Sequence, residues 1–273
     1  MLRKLLKYEI KDTARVIPFF YLIAMFFAVM ALVAKQLNLG WLTGTSSFIL
    51  ILVGIAVVII TFVVVVMRFY KNLYSNEGYL MFTLPVKPQL LLASKTIVAF
   101  TWIVISFVVA IVAICVSLYG FGVNGTMLAE IMSEFEKYGL EKVIYFLIPM
   151  ILLSILYLLA QIFFSITVAN RPAFYGMGAA SAFLVFLATY VILQIVQSVL
   201  TIFVPFSIEL NLVGNVSASL STKNMLGSLL ENINGLTPTN ITIGLSGYVF
   251  VVIMICVLFY LIGRMMNRKV SLR

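Results

Sequence analysis

The chain has 273 residues, of which 63% are hydrophobic and only 10% are charged. A soluble domain carries about 25% charged residues, so a chain this apolar must use lipid as its solvent, which excludes soluble, disordered and nucleic-acid-binding proteins. The formal net charge of +9 is typical of loops that flank a membrane and meet anionic lipid. There is no histidine, and Cys115 and Cys256 have no second ligand at metal-site spacing, so we expect no metal site.

The first fifteen residues predict an amphipathic helix that lies in the membrane interface. Apolar residues recur there at helical spacing, and a basic stripe runs beside them with a spacing of four, formed by Arg3, Lys7, Lys11 and Arg15. The alternative is a solvated basic start that only sets the topology. Both interpretations place the N-terminus in the cytoplasm.

Six apolar runs are long enough to cross a bilayer as helices. Their predicted ranges are about 16–34, 47–67, 96–119, 143–169, 173–204 and 244–263. With the N-terminus inside, the inner segments hold 14 of the 18 Lys and Arg residues, which is a strong positive-inside bias. We therefore predict an all-α polytopic membrane protein, a single transmembrane domain over residues 1–273 with both termini in the cytoplasm.

Three outer segments connect the predicted spans. Residues 35–46 are predicted to form a short loop, and the acidic segment 120–142 to hold a short surface helix. The Ser/Asn/Gly-rich segment 206–243 is predicted to be extracellular, with a helix over 223–233. Its apolar content is high for a free loop, so it either packs on the bundle or re-enters the outer leaflet.

The longest polar interruption on the predicted cytoplasmic side is residues 68–95, RFYKNLYSNEGYLMFTLPVKPQLLLASK. Polar residues before Glu77 can cap a short helix, and two prolines end it. Its aromatic side chains, Tyr79 and Phe82, would form a compact knob. Two interpretations stand side by side: a docking helix for a soluble partner, or an amphipathic helix that rests on lipid.

Several kinds of chemistry are absent from the sequence. The chain has no Gly-x-x-x-x-Gly-Lys-Ser/Thr phosphate loop, and no predicted span has a central charged residue. We therefore expect no nucleotide hydrolysis by the chain itself and no ion-coupled transport. A membrane-embedded enzyme is disfavoured, because there is neither a histidine nor a central acidic pair. An energy source for transport would have to come from another protein.

Two polar stripes lie within the predicted spans, each on one helical face. They are Ser154, Tyr157, Gln161 and Ser165 on the fourth span, and Tyr190, Gln194, Gln197 and Thr201 on the fifth. Polar side chains in lipid must face protein or water. The stripes would therefore either line a translocation path or form interhelical hydrogen bonds that hold the bundle together.

The run YSNEGYLMFTLPV at residues 74–86, with LLLASK at 90–95, resembles the inner loop of small bacterial ABC-2-type permeases, the membrane subunits of ATP-binding-cassette exporters. The basic N-terminus, the six spans and the long segment before the last span also match that family's plan. The resemblance implies a type V ABC exporter-like fold. In that fold the loop between spans two and three holds a cytoplasmic coupling helix, which docks on a separate ATPase.

Carried onto this sequence, the resemblance assigns the ATPase-coupling role to Tyr74, Glu77, Gly78, Tyr79, Phe82, Leu84 and Pro85. ATP and Mg²⁺ would be bound by the partner ATPase, and this chain would hold no cofactor and no catalytic residue. A second permease copy or a paralogue would pair with it in the bacterial cell membrane. The expected cargo is hydrophobic or amphipathic, with an antimicrobial peptide as the first candidate. The alternative is a non-transporting six-span protein with an immunity or sensor role.

Overall fold

The computed structural model describes residues 2–74, 87–123, 125–127, 129, 130, 133, 140–171, 179–211, 218–222, 224–228 and 240–267. The helices of twelve or more residues within these ranges are α1 (Leu2–Thr13), α2 (Ile17–Gln36), α3 (Gly40–Tyr74), α4 (Pro88–Gly120), α5 (Leu140–Ala169), α6 (Ala179–Phe203) and α7 (Ser246–Asn267). Three short strands lie between α6 and α7, namely β1 (Ser207–Asn211), β2 (Ala218–Ser221) and β3 (Asn240–Gly244).

Helices α2 to α7 are each long and apolar enough to cross a membrane. A span needs roughly 20 residues at about 1.5 Å per residue. Their outward faces are apolar as well, since Phe26, Leu52 and Ile192 are all more than half exposed. Such faces are stable only in lipid or against another protein. The prediction of an all-α polytopic membrane protein with six spans is confirmed.

The chain divides into two compact units, one that runs to Leu128 and one from Ala129 to Val270. In the first unit α2, α3 and α4 pack against one another, and α1 packs against α4. Small residues line these contacts: a Cβ built on Gly54 of α3 would lie 3.2 Å from the Cβ of Ala113 on α4. Without water to drive association, close backbone approach at small residues is what holds helices together in a membrane.

In the second unit α5 packs against both α6 and α7. The core between α5 and α7 contains Tyr157, Ala160, Val251, Ile255 and Leu258. The strands form an antiparallel sheet in the order β2-β1-β3, in which Ser207 pairs with Ser221 on one side and with Gly244 on the other. Since β3 ends where α7 begins, the sheet fixes the position of the start of α7.

Two predicted loops are largely helical. Helix α2 continues to Gln36 and α3 begins at Gly40, so the outer loop predicted at 35–46 is reduced to residues 37–39. Asn38 makes this turn possible with a φ of 54°, a left-handed conformation that asparagine tolerates. The hydropathy pattern underestimated both helices because polar residues at a membrane surface do not end a helix.

The same holds for residues 68–95. Helix α3 extends to Tyr74 and α4 begins at Pro88, so both ends of the predicted loop are helical. Proline is favoured at the first position of a helix, where its missing N–H costs nothing. Residues 75–86, which include the predicted coupling helix, lie outside the described residues.

The segment 206–243 contains strands that the sequence analysis did not predict. The alternation of Ile208 and Leu210 with polar neighbours in β1 is typical of a strand. Of the helix predicted at 223–233, residues 225–228 are helical. Residues 223 and 229–233 lie outside the described part, and membrane re-entry stays a prediction.

Candidate functional site

Helix α1 turns a polar side towards the spanning helices of its unit. Glu9 and Thr13, one turn apart, are 7% and 3% exposed. The predicted basic stripe lies on the other side: Arg3, Lys7 and Lys11 are exposed, as is Arg15 in the turn that follows. The buried contact of α1 is therefore a carboxylate rather than an apolar face.

Glu9 is held by two cations from two different spanning helices. Nζ of Lys95, near the start of α4, donates to Oε1 of Glu9 at 2.5 Å. Nε of Arg68, near the end of α3, donates to Oε2 at 3.3 Å. The side chains of Glu9 and Lys95 are 9% and 4% exposed. Two charges this deeply buried are tolerated only when each has its counterion and its hydrogen bonds.

A second carboxylate completes the cluster. Nη2 of Arg68 donates to Oδ2 of Asp12 at 2.8 Å, and the Asp12 side chain is 55% exposed. Two carboxylates therefore face two cations, and their formal charges cancel. We refer to Glu9, Asp12, Arg68 and Lys95 as the anchor cluster.

A chain of hydrogen bonds leads from α1 into the helix bundle. Nε1 of Trp102 on α4 donates to Oγ1 of Thr13 at 2.7 Å. The Trp102 ring lies 6.2 Å from the ring of Tyr21 on α2, measured between centroids. The Tyr21 hydroxyl shares a 2.8 Å hydrogen bond with Oγ of Ser106, which donates to Thr61 of α3 at 2.7 Å. Helix α1 is thus bound by polar contacts to α3 and α4, and α4 in turn contacts Tyr21 of α2.

The anchor cluster lies beside the segment that joins α3 and α4. Arg68 is six residues before Tyr74, where α3 ends, and Lys95 is seven residues after Pro88, where α4 begins. One carboxylate on α1 therefore bridges the two helices that flank residues 75–86. Because its charges are paired across three helices, the cluster can transmit a displacement from one helix to the others.

The predicted coupling residues are only partly described. Tyr74 is 3% exposed, and its ring centroid lies 6.2 Å from that of Phe69. Glu77, Gly78, Tyr79, Phe82, Leu84 and Pro85 lie outside the described residues, and their coupling role stays a prediction.

The polar stripe on α5 faces inward for most of its length. Tyr157, Gln161 and Ser165 are buried, whereas Ser154 is exposed. Ser165 donates to the carbonyl of Gln161, one turn earlier in the same helix. The Tyr157 hydroxyl and Oε1 of Gln161 make no hydrogen bond of acceptable geometry with any residue that the structure describes.

The polar stripe on α6 divides into two parts. Gln197 and Thr201 are half-buried and pack against the start of α7, where a Cβ added to Gly247 would lie 3.6 Å from Cγ of Gln197. Tyr190 and Gln194 are exposed. The structure does not bring the α5 and α6 stripes into one described cavity.

Sequence reasoning missed Glu9, Asp12 and the role of Trp102. The available signal was an acidic residue inside an otherwise basic helix, which is unusual for a segment that meets anionic lipid. Lys95 offered a second signal, because it follows an apolar run without an obvious counterion nearby in sequence. Pairing the two required the fold, since they are 86 residues apart.

No three side chains among His, Cys, Asp and Glu come together as a metal site within the described ranges. The six apolar helices define the class of this protein, a multi-pass membrane protein. No family model matches the chain, and no similar curated protein or solved structure is found.

Proposed function

We propose that this chain is the permease subunit of an ATP-binding-cassette exporter in a bacterial cell membrane. It moves a hydrophobic or amphipathic substrate, an antimicrobial peptide in the first instance, out of the cell. A separate ATPase subunit binds ATP and Mg²⁺ and supplies the energy. The observation that supports this most is the anchor cluster, which ties α1 to both helices that flank residues 75–86.

Transport by this chain would need an energy source outside the chain. The sequence has no phosphate loop and no central charge in a predicted span, so an external protein must do work on it. Residues 75–86 join α3 to α4, and a force applied there acts on both helices together. ATP drives such a cycle by binding the closed arrangement of the ATPase more tightly than the open one.

The anchor cluster extends that force to α1. Removing one partner of a buried ion pair costs about 3–5 kcal/mol, because the other charge is left without compensation. Separating α1 from Arg68 and Lys95 would incur a cost of the same kind. Helix α1, the end of α3 and the start of α4 therefore move as one body when the segment between α3 and α4 is displaced.

Charge supports a cytoplasmic position for the anchor cluster. Within the first unit the Lys and Arg residues of α1 and of the helix ends around the cluster far outnumber those at the opposite end. At that opposite end, where α2 and α4 end, Lys35 donates a hydrogen bond to the carbonyl of Tyr119. Cytoplasmic segments of membrane proteins are enriched in Lys and Arg. This orientation places residues 75–86 where an ATPase can reach them.

Helix α6 supports the pairing with a second permease chain, either another copy or a paralogue. Apart from Ser181 near its start, residues 180–203 include no buried side chain, whereas each of the other spanning helices has several. Gln194 on this helix is exposed. An amide left in lipid without a partner costs several kcal/mol, so a protein or aqueous surface must cover it.

The test uses the variants Glu77→Lys and Gly78→Trp. The tagged chain is purified from its own host with its associated ATPase, and both are reconstituted in liposomes to measure ATP hydrolysis and peptide export. We expect both variants to insert into the membrane normally but to lose ATPase association and export. Glu130→Lys, the same charge change at an exposed residue of the other unit, is the matched control.

Unchanged ATPase association and export in both variants would contradict the docking role of residues 75–86. Failure of any ATPase to associate with the unmodified chain would contradict the proposed function as a whole. A non-transporting role in immunity or sensing would then be the better explanation.

A further inference from the structure

A cavity of about 490 Å³ lies where the turn between α1 and α2 meets α3. This volume falls within the range of about 300–1,000 Å³ in which small-molecule sites occur. The cavity has cationic and apolar residues side by side, namely Arg15, Arg68 and Lys71, and Val16, Val64 and Met67.

The cationic side of the cavity has an excess of positive charge. Three cations face one carboxylate, that of Asp12, which is already bound to Arg68 at 2.8 Å. Arg15 and Lys71 are exposed, and neither forms an ion pair with a residue that the structure describes. An anion that enters the cavity would therefore meet two uncompensated cations.

The apolar side identifies the kind of anion. Val16 is 44% exposed and Met67 is 48% exposed, and Val64 completes the surface between them. A free phosphate ion would gain nothing from these side chains. A phospholipid would place its phosphate on the cations and its acyl chains on the valines and the methionine.

Position favours the same ligand. Val16 directly precedes α2, so the cavity lies at the level where a spanning helix begins and where lipid headgroups are expected. We propose that this cavity binds an anionic phospholipid through its headgroup phosphate. Because Arg15 follows α1 and Lys71 belongs to α3, one headgroup would link the α1–α2 turn to α3, next to the anchor cluster.

The experiment compares two lipids with identical acyl chains. The full-length protein is purified in detergent and titrated with dioleoyl phosphatidylglycerol or dioleoyl phosphatidylcholine, and bound lipid is measured by native mass spectrometry. We expect one tightly bound phosphatidylglycerol and a clear preference over phosphatidylcholine. The double variant Arg15→Gln/Lys71→Gln should weaken phosphatidylglycerol binding about 30-fold. Each cation near an anionic lipid raises the affinity by about a factor of five, and the variant removes two cations.

The matched control is Arg3→Gln/Lys7→Gln, which removes one arginine and one lysine from exposed positions of α1 outside the cavity. It should bind phosphatidylglycerol as the unmodified protein does. The charge-preserving variant Arg15→Lys/Lys71→Arg should retain binding, which shows that binding depends on the charges and not on the exact side chains.

Equal loss in the cavity variant and the control would overturn the proposal, because binding would then depend on overall charge. No loss in the cavity variant would overturn it as well. Displacement of phosphatidylglycerol by millimolar inorganic phosphate would assign the site to a free anion instead of a lipid. None of these outcomes depends on the ATPase or on export.

Discussion

Glu9 has two cationic partners, which differ in how deeply they are buried. Lys95 is the more buried partner, with 4% of its side chain exposed against 21% for Arg68. The Asp12–Arg68 pair, in contrast, is open to water on the Asp12 side. Exposed pairs of this kind contribute about 0–1 kcal/mol. The stability of the protein should therefore depend more on the Glu9 carboxylate than on that of Asp12.

We expect Glu9→Gln to destabilise the protein by about 3 kcal/mol, because it removes the carboxylate that pairs with the buried ammonium group of Lys95. The free energy of unfolding is measured by titration with sodium dodecyl sulfate in mixed micelles. Asp12→Asn is the matched control and should cost less than about 1 kcal/mol.

The double variant Glu9→Gln/Lys95→Met should recover most of the lost stability, since it removes both charges together. Equal effects of Glu9→Gln and Asp12→Asn would contradict the assignment of Glu9 as the buried centre of the cluster. So would a double variant less stable than Glu9→Gln alone.

For single residues, the sequence predicted whether a side chain is exposed or lies at a membrane boundary better than it predicted which residue pairs with it. The exposed basic stripe of α1 follows directly from its spacing of four, and Lys95 was recognised as lying at a boundary. That Glu9 neutralises Lys95 depends on the packing of α1 against α4, which no local pattern encodes. Ion pairs between residues far apart in sequence depend on the fold, so local sequence patterns do not predict them.

At the level of elements, the contact of α6 with the start of α7 is unusually close. Oγ of Ser246 donates to the carbonyl of Leu200 at 2.7 Å. A Cβ added to Gly244 would lie 2.7 Å from the backbone oxygen of Thr201 and 2.8 Å from its Cγ2, whereas one added to Gly247 would meet only side-chain atoms of Thr201. The two positions therefore differ in that a backbone atom also blocks a side chain at Gly244.

We expect Gly247→Ala and Gly244→Ala each to destabilise the protein by about 1–3 kcal/mol through overpacking. Adding Thr201→Ala should rescue Gly247→Ala, because it removes the side-chain atoms that the new methyl group meets. It should not rescue Gly244→Ala, since the backbone oxygen remains. Thermal denaturation of the four variants in detergent gives the comparison.

Gly44→Ala serves as the control, because a Cβ at Gly44 meets nothing within 4 Å. It should be neutral or stabilising by up to about 1 kcal/mol, as expected for glycine inside a helix. Rescue of both glycine variants by Thr201→Ala, or of neither, would contradict this account of the contact.

The spanning helices were predictable because hydropathy in a membrane protein is a strong signal over about 20 residues. Their ends were not, since α3 and α4 extend well into polar sequence. The strands β1 and β3 were missed because five alternating residues are a weak signal within a long polar segment.

At the scale of the whole molecule, the exposed side of α6 bears on assembly. Tyr190 and Gln194 lie one turn apart on this side, and the apolar residue Ile192 points away from them at 61% exposure. If a second permease chain covers the polar side, lipid remains the neighbour of Ile192.

We expect Gln194→Cys, placed in a Cys115→Ser/Cys256→Ser background, to form a disulfide-linked dimer in membranes treated with a mild oxidant. Ile192→Cys in the same background is the control and should stay monomeric, because it faces lipid. Non-reducing gel electrophoresis separates the two. Equal cross-linking at both positions would argue against a specific interface on this side of α6, and none at Gln194 would argue against a second copy there.

Function was less accessible from the sequence than architecture. Composition identified a multi-pass membrane protein, and the structure confirms it. Transport, the ATPase and the second chain are expectations from the resemblance of residues 74–95, and most of the predicted coupling residues lie outside the described part. What the structure adds is the anchor cluster, a physical link on which the coupling proposal can be tested.

The anchor cluster also constrains the order in which the helices of the first unit can assemble. Glu9 is translated first, yet Arg68 follows it by 59 residues and Lys95 by 86. At about 5–20 residues per second, the ammonium group that Glu9 requires is made roughly 4–17 s later. During that interval α2 and α3 become available for insertion, while Glu9 of α1 still lacks Lys95. Helix α1 therefore cannot complete its ion pairs until the start of α4 has been made.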